Sequence, residues 1–316
     1  MVLRFYRYRF TFEAMDELYF PPGKAGNIVR GAFGTLFRKI ACVPGCEDVA
    51  QCEIRGECPY ARVFEPQPLE GAGLSGYRDR PRPFVLRASH LGSWKMRRGD
   101  SFYFDLHLFD VKTPVLPFFV LTFVRLVEEG MGPGRGRARL LDVRQLDWVG
   151  HGEVVFDGEA FRLREACGPL EIILDSEVSS TRKVRVDFRT PTEIAGARPG
   201  EAPAFGALFA RIRDRISALS TFYGDGELEM PFRELGERAR AVRLLDADVR
   251  HETVSRRSSR TLERHSIGGF VGEATYEGDL GEFLPFLKAG EWVGVGKHTV
   301  WGNGEISVET VGDNRR

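Results

Sequence analysis

Along residues 2–12 apolar and polar side chains alternate, with Leu3 and Phe5 opposed by Arg4 and Arg9, the period-two pattern of a half-buried strand. Pro21-Pro22-Gly23 makes a turn. Residues 27–41 then place Ile28, Phe33, Leu36 and Ile40 on one face of a helix. After a cysteine-bearing loop and a stretch rich in Pro, Gly and Arg, residues 84–88 and 101–109 read as strands. Residues 114–129 read as a buried helix and 138–146 as a closing strand, so the order is β-α-β-β-α-β. Residues 153–163 predict a hairpin across Asp157-Gly158. The order then repeats. Residues 183–189 form a strand stopped by Thr190-Pro191, and 205–222 an amphipathic helix on Phe205, Leu208, Phe209, Ile212, Ile216 and Leu219. Strands at 241–254 and 268–276, a helix at 280–288 and a last strand at 299–308 complete it.

Two consecutive units of this kind predict an α+β protein of two tandem ferredoxin-like (RRM-like, βαββαβ) domains, with antiparallel sheets and helices on one face. The expected boundaries are 1–150 for the first domain, with a Cys-rich insertion at 42–58, then a connecting hairpin at 151–168 and a second domain at 169–316. A chain of 316 residues is long enough for two full cores.

Both halves also carry a glycine-rich basic loop ahead of their last strand. Residues 130–139 read GMGPGRGRAR and 294–304 read GVGKHTVWGNG, each following a Leu-Pro-Phe segment. Glycine admits close backbone approach, and exposed N–H groups beside a cation favour a phosphate. The expected phosphate-contacting residues are Gly130, Gly132, Arg135 and Arg137 in the first loop. In the second they are Gly294, Gly296, Lys297, Gly302 and Gly304, with Trp301 placed to stack on a base. A third basic segment, HETVSRRSSRTLERH at 251–265, joins two strands expected to pair, and its Arg256, Arg257 and Arg260 suit phosphate contacts. A charged hairpin tip also suits a plain solvated face.

Net charge is zero, so no global attraction to a polyanion is implied. The distribution is uneven: residues 1–150 hold 22 Lys+Arg against 17 Asp+Glu, and 77–98 hold seven basic residues against Asp79 alone. Only seven of the 45 basic residues are lysine, a bias that bidentate phosphate binding and a GC-rich genome explain equally well. The charged start and an apolar run of only 11 residues at 114–124 point to a cytoplasmic protein without a membrane partner.

Cys42, Cys46, Cys52 and Cys58 fall within 17 residues, leaving Cys167 apart. In a reducing compartment such a group suits thiolate ligation of a structural zinc, or an iron–sulfur cluster, better than disulfides.

The blocks NIVRGAFGTLFRKIAC, CPYARVFEP, RPRPFVLRA, DFRTPTEI, GGFVGEATYEGD and GVGKHTVWGNGEI occur in this order, and together the chain resembles the RAMP superfamily of CRISPR-associated proteins. It is most similar to the endoribonuclease that cuts the repeat RNA of precursor crRNA. The resemblance implies metal-independent cleavage, the 2′-hydroxyl attacking its own 3′-phosphate to leave a cyclic phosphate, with repeat RNA and other CRISPR-associated proteins as partners. The alternative is a RAMP-type subunit that holds crRNA without cutting it. The glycine loop matches the family pattern at Gly294, Gly296, Lys297, Gly302 and Gly304. The family's histidine ahead of Val-Gly-Lys is replaced by Gly294, and no histidine precedes His90. Such a reaction needs a base, an acid and a cation beside the phosphate. His251, His265, His298 and Lys297 are therefore the expected catalytic set, with Tyr6, Tyr19 and Lys24 as substitutes near the first strand–helix junction. His107 and His151 are read as structural or inert, and His90 as a sugar–phosphate contact or a plain loop residue.

Overall fold

The computed structural model describes residues 1–43, 45–46, 48–66, 80–175, 180–196, 198, 200–257 and 264–312. Two compact units separate, one within residues 4–170 and one from residue 171 onward together with residues 1–3.

The first unit follows the expected order. Its elements are β1 (Val2–Ala14), β2 (Leu18–Tyr19), α1 (Ala25–Arg30), α2 (Phe33–Ala41), α3 (Pro59–Phe64), β3 (Phe84–Arg87), β4 (Lys95–Met96), β5 (Ser101–Leu108), α4 (Leu116–Glu129), β6 (Ala138–Leu146), β7 (Gly152–Asp157) and β8 (Arg162–Leu163). The sheet runs β3-β5-β1-β6-β7-β8 in antiparallel pairs, and its first four strands have the order of a ferredoxin-like unit. The β7–β8 hairpin, expected as a connector, extends the sheet from β6. The expected helix at 27–41 is two helices, because Gly31 tightens into a turn whose N–H donates to the Ile28 carbonyl.

Alternation along β1 buries Leu3, Phe5, Tyr8, Phe10, Phe12 and Ala14. Over them α2 and α4 close a core made largely of phenylalanine. Phe33 is fully buried, with ring centroids 4.4 Å from Phe123, 5.3 Å from Phe119 and 5.7 Å from Phe37 and Phe64. Tilted and edge-on rings at these spacings add to the burial term.

The second unit contains β9 (Leu170–Ile173), β10 (Lys183–Thr192), α5 (Phe205–Tyr223), α6 (Phe232–Ala241), β11 (Arg243–Glu252), β12 (Ser255–Arg257), β13 (Arg264–Ser266), β14 (Gly269–Glu277), α7 (Leu284–Val293) and β15 (Ile306–Thr310). Its sheet, β11-β14-β10-β15, is again ferredoxin-like and antiparallel. Every apolar position expected on α5 is buried. Two expectations change. Residues 232–241 form a helix that the charged sequence FRELGERARA did not announce. The last strand begins at Ile306, because Thr299–Trp301 coil into a 3-10 turn. Among the described residues no helix is long and apolar enough to cross a membrane.

Phe33→Ala is expected to cost about 3–5 kcal/mol, the range for emptying a buried aromatic site. Val149→Ala, at a position 76% exposed, should stay within about 0.5 kcal/mol of the parent. Urea unfolding midpoints of the two variants check both.

Candidate functional site

In the second unit the glycine loop is held by backbone contacts. Gly294, Gly296, Gly302 and Gly304 all have φ between 69° and 84°. A Cβ on Gly296 would lie 2.2 Å from the Glu193 carbonyl oxygen, and one on Gly304 2.0 Å from that of Val295. The loop's N–H groups are largely spent inside the fold. Val295 donates to the Gly304 carbonyl, Lys297 to Glu193, Trp301 to His298, Gly302 to Thr299 and Gly304 to Pro191, at 2.8–3.1 Å. The expectation of successive exposed N–H groups is thereby corrected. What the loop offers outward is side chains.

Those side chains gather. Lys297 and His298, from the loop, line a depression of about 620 Å³ together with His251 from the end of β11 and Glu193 just after β10. Lys297 Nζ donates to Glu193 Oε1 at 2.6 Å, and His298 Nε2 stands 3.9 Å from Glu193 Oε2. His298 adopts a left-handed backbone (φ 63°), uncommon for a residue with a Cβ. His251 reaches the same depression because β11 pairs with β14 in the register His251↔Phe270. Arg198 also lines it. Two imidazoles can trade protons near neutral pH, and a lysine held by a single exposed carboxylate can exchange that partner for a phosphate oxygen. Glu193 and Arg198 were not singled out in the sequence. Glu193 sits 104 residues from Lys297, and no local pattern marks it.

The other expected residues belong to the first unit, lie elsewhere in the second, or are placed only by backbone. His265 stands opposite Arg256, and Arg264 opposite Arg257, in the β12–β13 ladder. Arg260 lies outside the described residues. Trp301 ends the 3-10 turn, half-buried. His107 is buried in the first core. His90 stacks on Tyr103 at 4.6 Å with its Nε2 2.9 Å from the Tyr103 carbonyl, and His151 is 3.8 Å from Asp147. Tyr6 stacks on Tyr8 at 5.7 Å and burial raises its pKa; Tyr19 is exposed beneath Lys95, and Lys24 caps α1.

The first glycine loop is built on the same plan. A Cβ on Gly130 would meet the Arg135 carbonyl oxygen at 2.2 Å, and one on Gly132 the Tyr19 carbonyl oxygen at 3.1 Å. Arg135 donates to the Glu129 carbonyl at the end of α4. Arg137 forks onto Asp16 at 2.7 and 3.3 Å and holds that carboxyl below its ordinary range.

In the Cys-rich segment, burial and the adjacent Cys58 and Cys46 thiols push the Cys42 thiol up to about 12. Cys46 and Cys52 border one open depression of about 610 Å³. All four cysteines are free, and among the described residues no group of three His, Cys, Asp or Glu side chains stands in metal-binding geometry.

Residues 3–167 match the AF_1859_N family, an N-terminal domain, and residues 186–306 match the family of the CRISPR-associated endoribonuclease Cas6. A comparison with curated proteins gave no match. Among solved structures, Thermus thermophilus Cas6 (TTHB231) superposes with a TM-score of 0.52 at 16% identity, over 97% of this chain and 98% of that one. Its product complex gives 0.56 at 17% identity, over 97% and 99%. A chain of the partial Cas6-RT-Cas1–Cas2 complex gives 0.55 at 11%, over 99% of this chain and 47% of that one. At these identities the likeness is one of fold, and it agrees with the tandem ferredoxin-like units.

Gly304→Ala is expected to destabilise by more than about 1–2 kcal/mol, since left-handed backbone alone costs an L-residue that much. Gly134→Ala, where a Cβ meets nothing within 4 Å, should leave the urea midpoint in place.

Proposed function

We propose that the chain is a CRISPR-associated, RAMP-fold endoribonuclease of the Cas6 type, as the match of residues 186–306 to that family supports, and that it cuts CRISPR repeat RNA in precursor crRNA at the depression of the second unit. The observation that carries this reading is the meeting of His251, Lys297 and His298 around one open depression, all within the stretch matched to the endoribonuclease family. One imidazole takes the proton of the 2′-hydroxyl, and that oxygen bonds to the adjacent phosphorus. The bond from phosphorus to the 5′-oxygen breaks, and the other imidazole, protonated, returns a proton to the leaving oxygen. The products are a 2′,3′-cyclic phosphate and a 5′-hydroxyl. Lys297, drawn from Glu193 to the phosphate, balances the charge that builds on the equatorial oxygens. The scheme runs on proton transfer and a fixed cation and so proceeds in chelator.

Repeat RNA is the proposed partner, and the Cas6 product complexes of the same fold favour it. Other CRISPR-associated proteins are proposed as a second class of partner, a reading supported by the shared fold with part of a chain of the Cas6-RT-Cas1–Cas2 complex. The β12–β13 ladder with Arg256, Arg257 and His265, Arg260 between its strands in the sequence, and Trp301 are proposed to extend the grip on RNA, with Arg135 of the first loop as a further phosphate contact.

End-labelled repeat RNA from the host array, incubated with the protein in EDTA under single-turnover conditions, is expected to be cut at one site. The same RNA with a 2′-deoxy nucleotide there should bind and stay intact. His298→Ala and His251→Ala are each expected to slow cleavage by about 10²–10⁴-fold with binding retained, and Lys297→Ala to weaken both. Tight binding of both RNAs with neither cut would make this a crRNA-holding subunit and remove the enzyme reading.

A further inference from the structure

One depression of the first unit plays no part in the cleavage scheme. It has a volume of about 290 Å³ and opens where the start of β1, the loop from β5 to α4 and the chain leaving β8 come together. Leu108, Pro114, Pro117 and Leu163 make its walls apolar. Tyr6 and Tyr8 share one face of β1, being two residues apart, and line the depression with their rings stacked at 5.7 Å and 20°. Tyr8 is 2% exposed, yet its hydroxyl has no hydrogen-bond partner among the described residues. A buried hydroxyl left in that state costs free energy, which the acceptor atom of a ligand would recover. Burial, with Tyr6 alongside, keeps the phenol's pKa above its ordinary value, so Tyr8 is a donor.

Two cations complete the lining, each set on fixed backbone. Asp110 is buried and forked by Arg62, and it accepts from the Lys112 and Thr113 N–H groups at 3.2 Å, which holds the turn carrying Lys112. The N–H of Arg164 donates to the Val155 carbonyl at 2.7 Å. Neither the Lys112 ammonium nor the Arg164 guanidinium pairs with a carboxylate among the described residues. Of the two acidic residues in the lining, Asp110 is already neutralised by Arg62, which leaves Lys112 and Arg164 against Glu165 alone.

We propose that this depression binds one nucleotide, its phosphate between Lys112 and Arg164 and within reach of the tyrosine hydroxyls, its ring against the apolar wall. A guanidinium fork matches two phosphate oxygens and an ammonium serves a third as a point charge. A phenol donor beside them suits an anion with several acceptor oxygens better than a carboxylate. The volume lies at the lower end of ligand pockets and suits a single nucleotide rather than a run of chain. A free mononucleotide and a phosphodiester of bound RNA offer the same chemistry. The site lies wholly within the first unit and does not depend on the cleavage reading.

Calorimetric titration of the full chain with uridine monophosphate and with uridine tests the phosphate, and fluorescence anisotropy with repeat RNA carrying a 2′-deoxy nucleotide at the cut tests the chain-borne source. The monophosphate is expected to bind at least about tenfold more tightly than the nucleoside, as a hydrogen bond to a charged group implies. Lys112→Ala, Arg164→Ala and Tyr8→Phe should each weaken it by about 3- to 10-fold, while Lys95→Ala, outside the lining, should not. Tyr8→Phe should also leave the urea midpoint in place, because the hydroxyl has no partner to lose. If the monophosphate fails to bind but the same three variants weaken the RNA, the phosphate is a phosphodiester and the site stands. Equal binding of monophosphate and nucleoside overturns it. So does binding of both probes by the three variants as tightly as by the parent, which places the ligand elsewhere, or a folded parent that binds neither. RNA that binds without being cut bears on the histidines of the second unit and leaves this site untouched.

Discussion

A glycine loop laid against the end of the first strand is the contact on which each unit depends. In the second unit Gly304 donates to the Pro191 carbonyl and Lys297 to that of Glu193, while Arg189 at the end of β10 donates to Glu305. In the first unit Met15 and Asp16 both donate to the Arg137 carbonyl, and Gly136 lies where a Cβ would stand 2.3 Å from the Glu17 carbonyl oxygen. Main chain touches main chain at these points, and the approach admits no side chain between. Pairing of the fourth strand with the first begins beside this contact, at Ala14↔Ala138 in one unit and Phe188↔Ile306 in the other, and glycine is what lets the loop approach so closely.

A charge pair is built on this contact in both units. The acidic residue that follows the first strand, Asp16 or Glu193, meets a basic residue of the glycine loop, Arg137 or Lys297. Equivalent residues in equivalent places mark the two halves as variations on one plan, which the sequence shows in its two Leu-Pro-Phe segments and two glycine loops. Both segments open a helix with proline in the first turn, where its missing N–H costs nothing.

How much of this was legible depends on whether the signal is local. The buried face of α5 could be read directly, because helical period and burial coincide from Phe205 to Leu219. The helix α6 could not, since only Leu235 and Ala239 of its ten residues are buried and five of the other eight are charged. Thr299 and Val300 are β-branched and buried, which reads as strand, yet Gly302 and Gly304 with positive φ turn the chain before pairing begins at Ile306. At the site, His298 and Lys297 were visible in their loop, and His251 as a candidate in the preceding ladder. Their partner Glu193 was hidden, because a contact made across a fold leaves no mark in the order of residues.

The two halves share a plan but differ in what the loop cation is free to do. Arg137 grips Asp16 through two nitrogens of a planar fork, a geometry that resists substitution of one anion for another. The depression beside it includes Val124, Leu140, Phe156 and Phe161 and no histidine. Lys297 is a point charge holding Glu193 through one contact, with both side chains substantially exposed, so an incoming phosphate competes for it at small cost. Beside it stand two imidazoles. Arginine in the first half therefore suits a pair that holds the loop, and lysine in the second a pair that opens. The difference between a scaffold and a site in this chain comes down to which cation sits in the glycine loop and what titrates next to it.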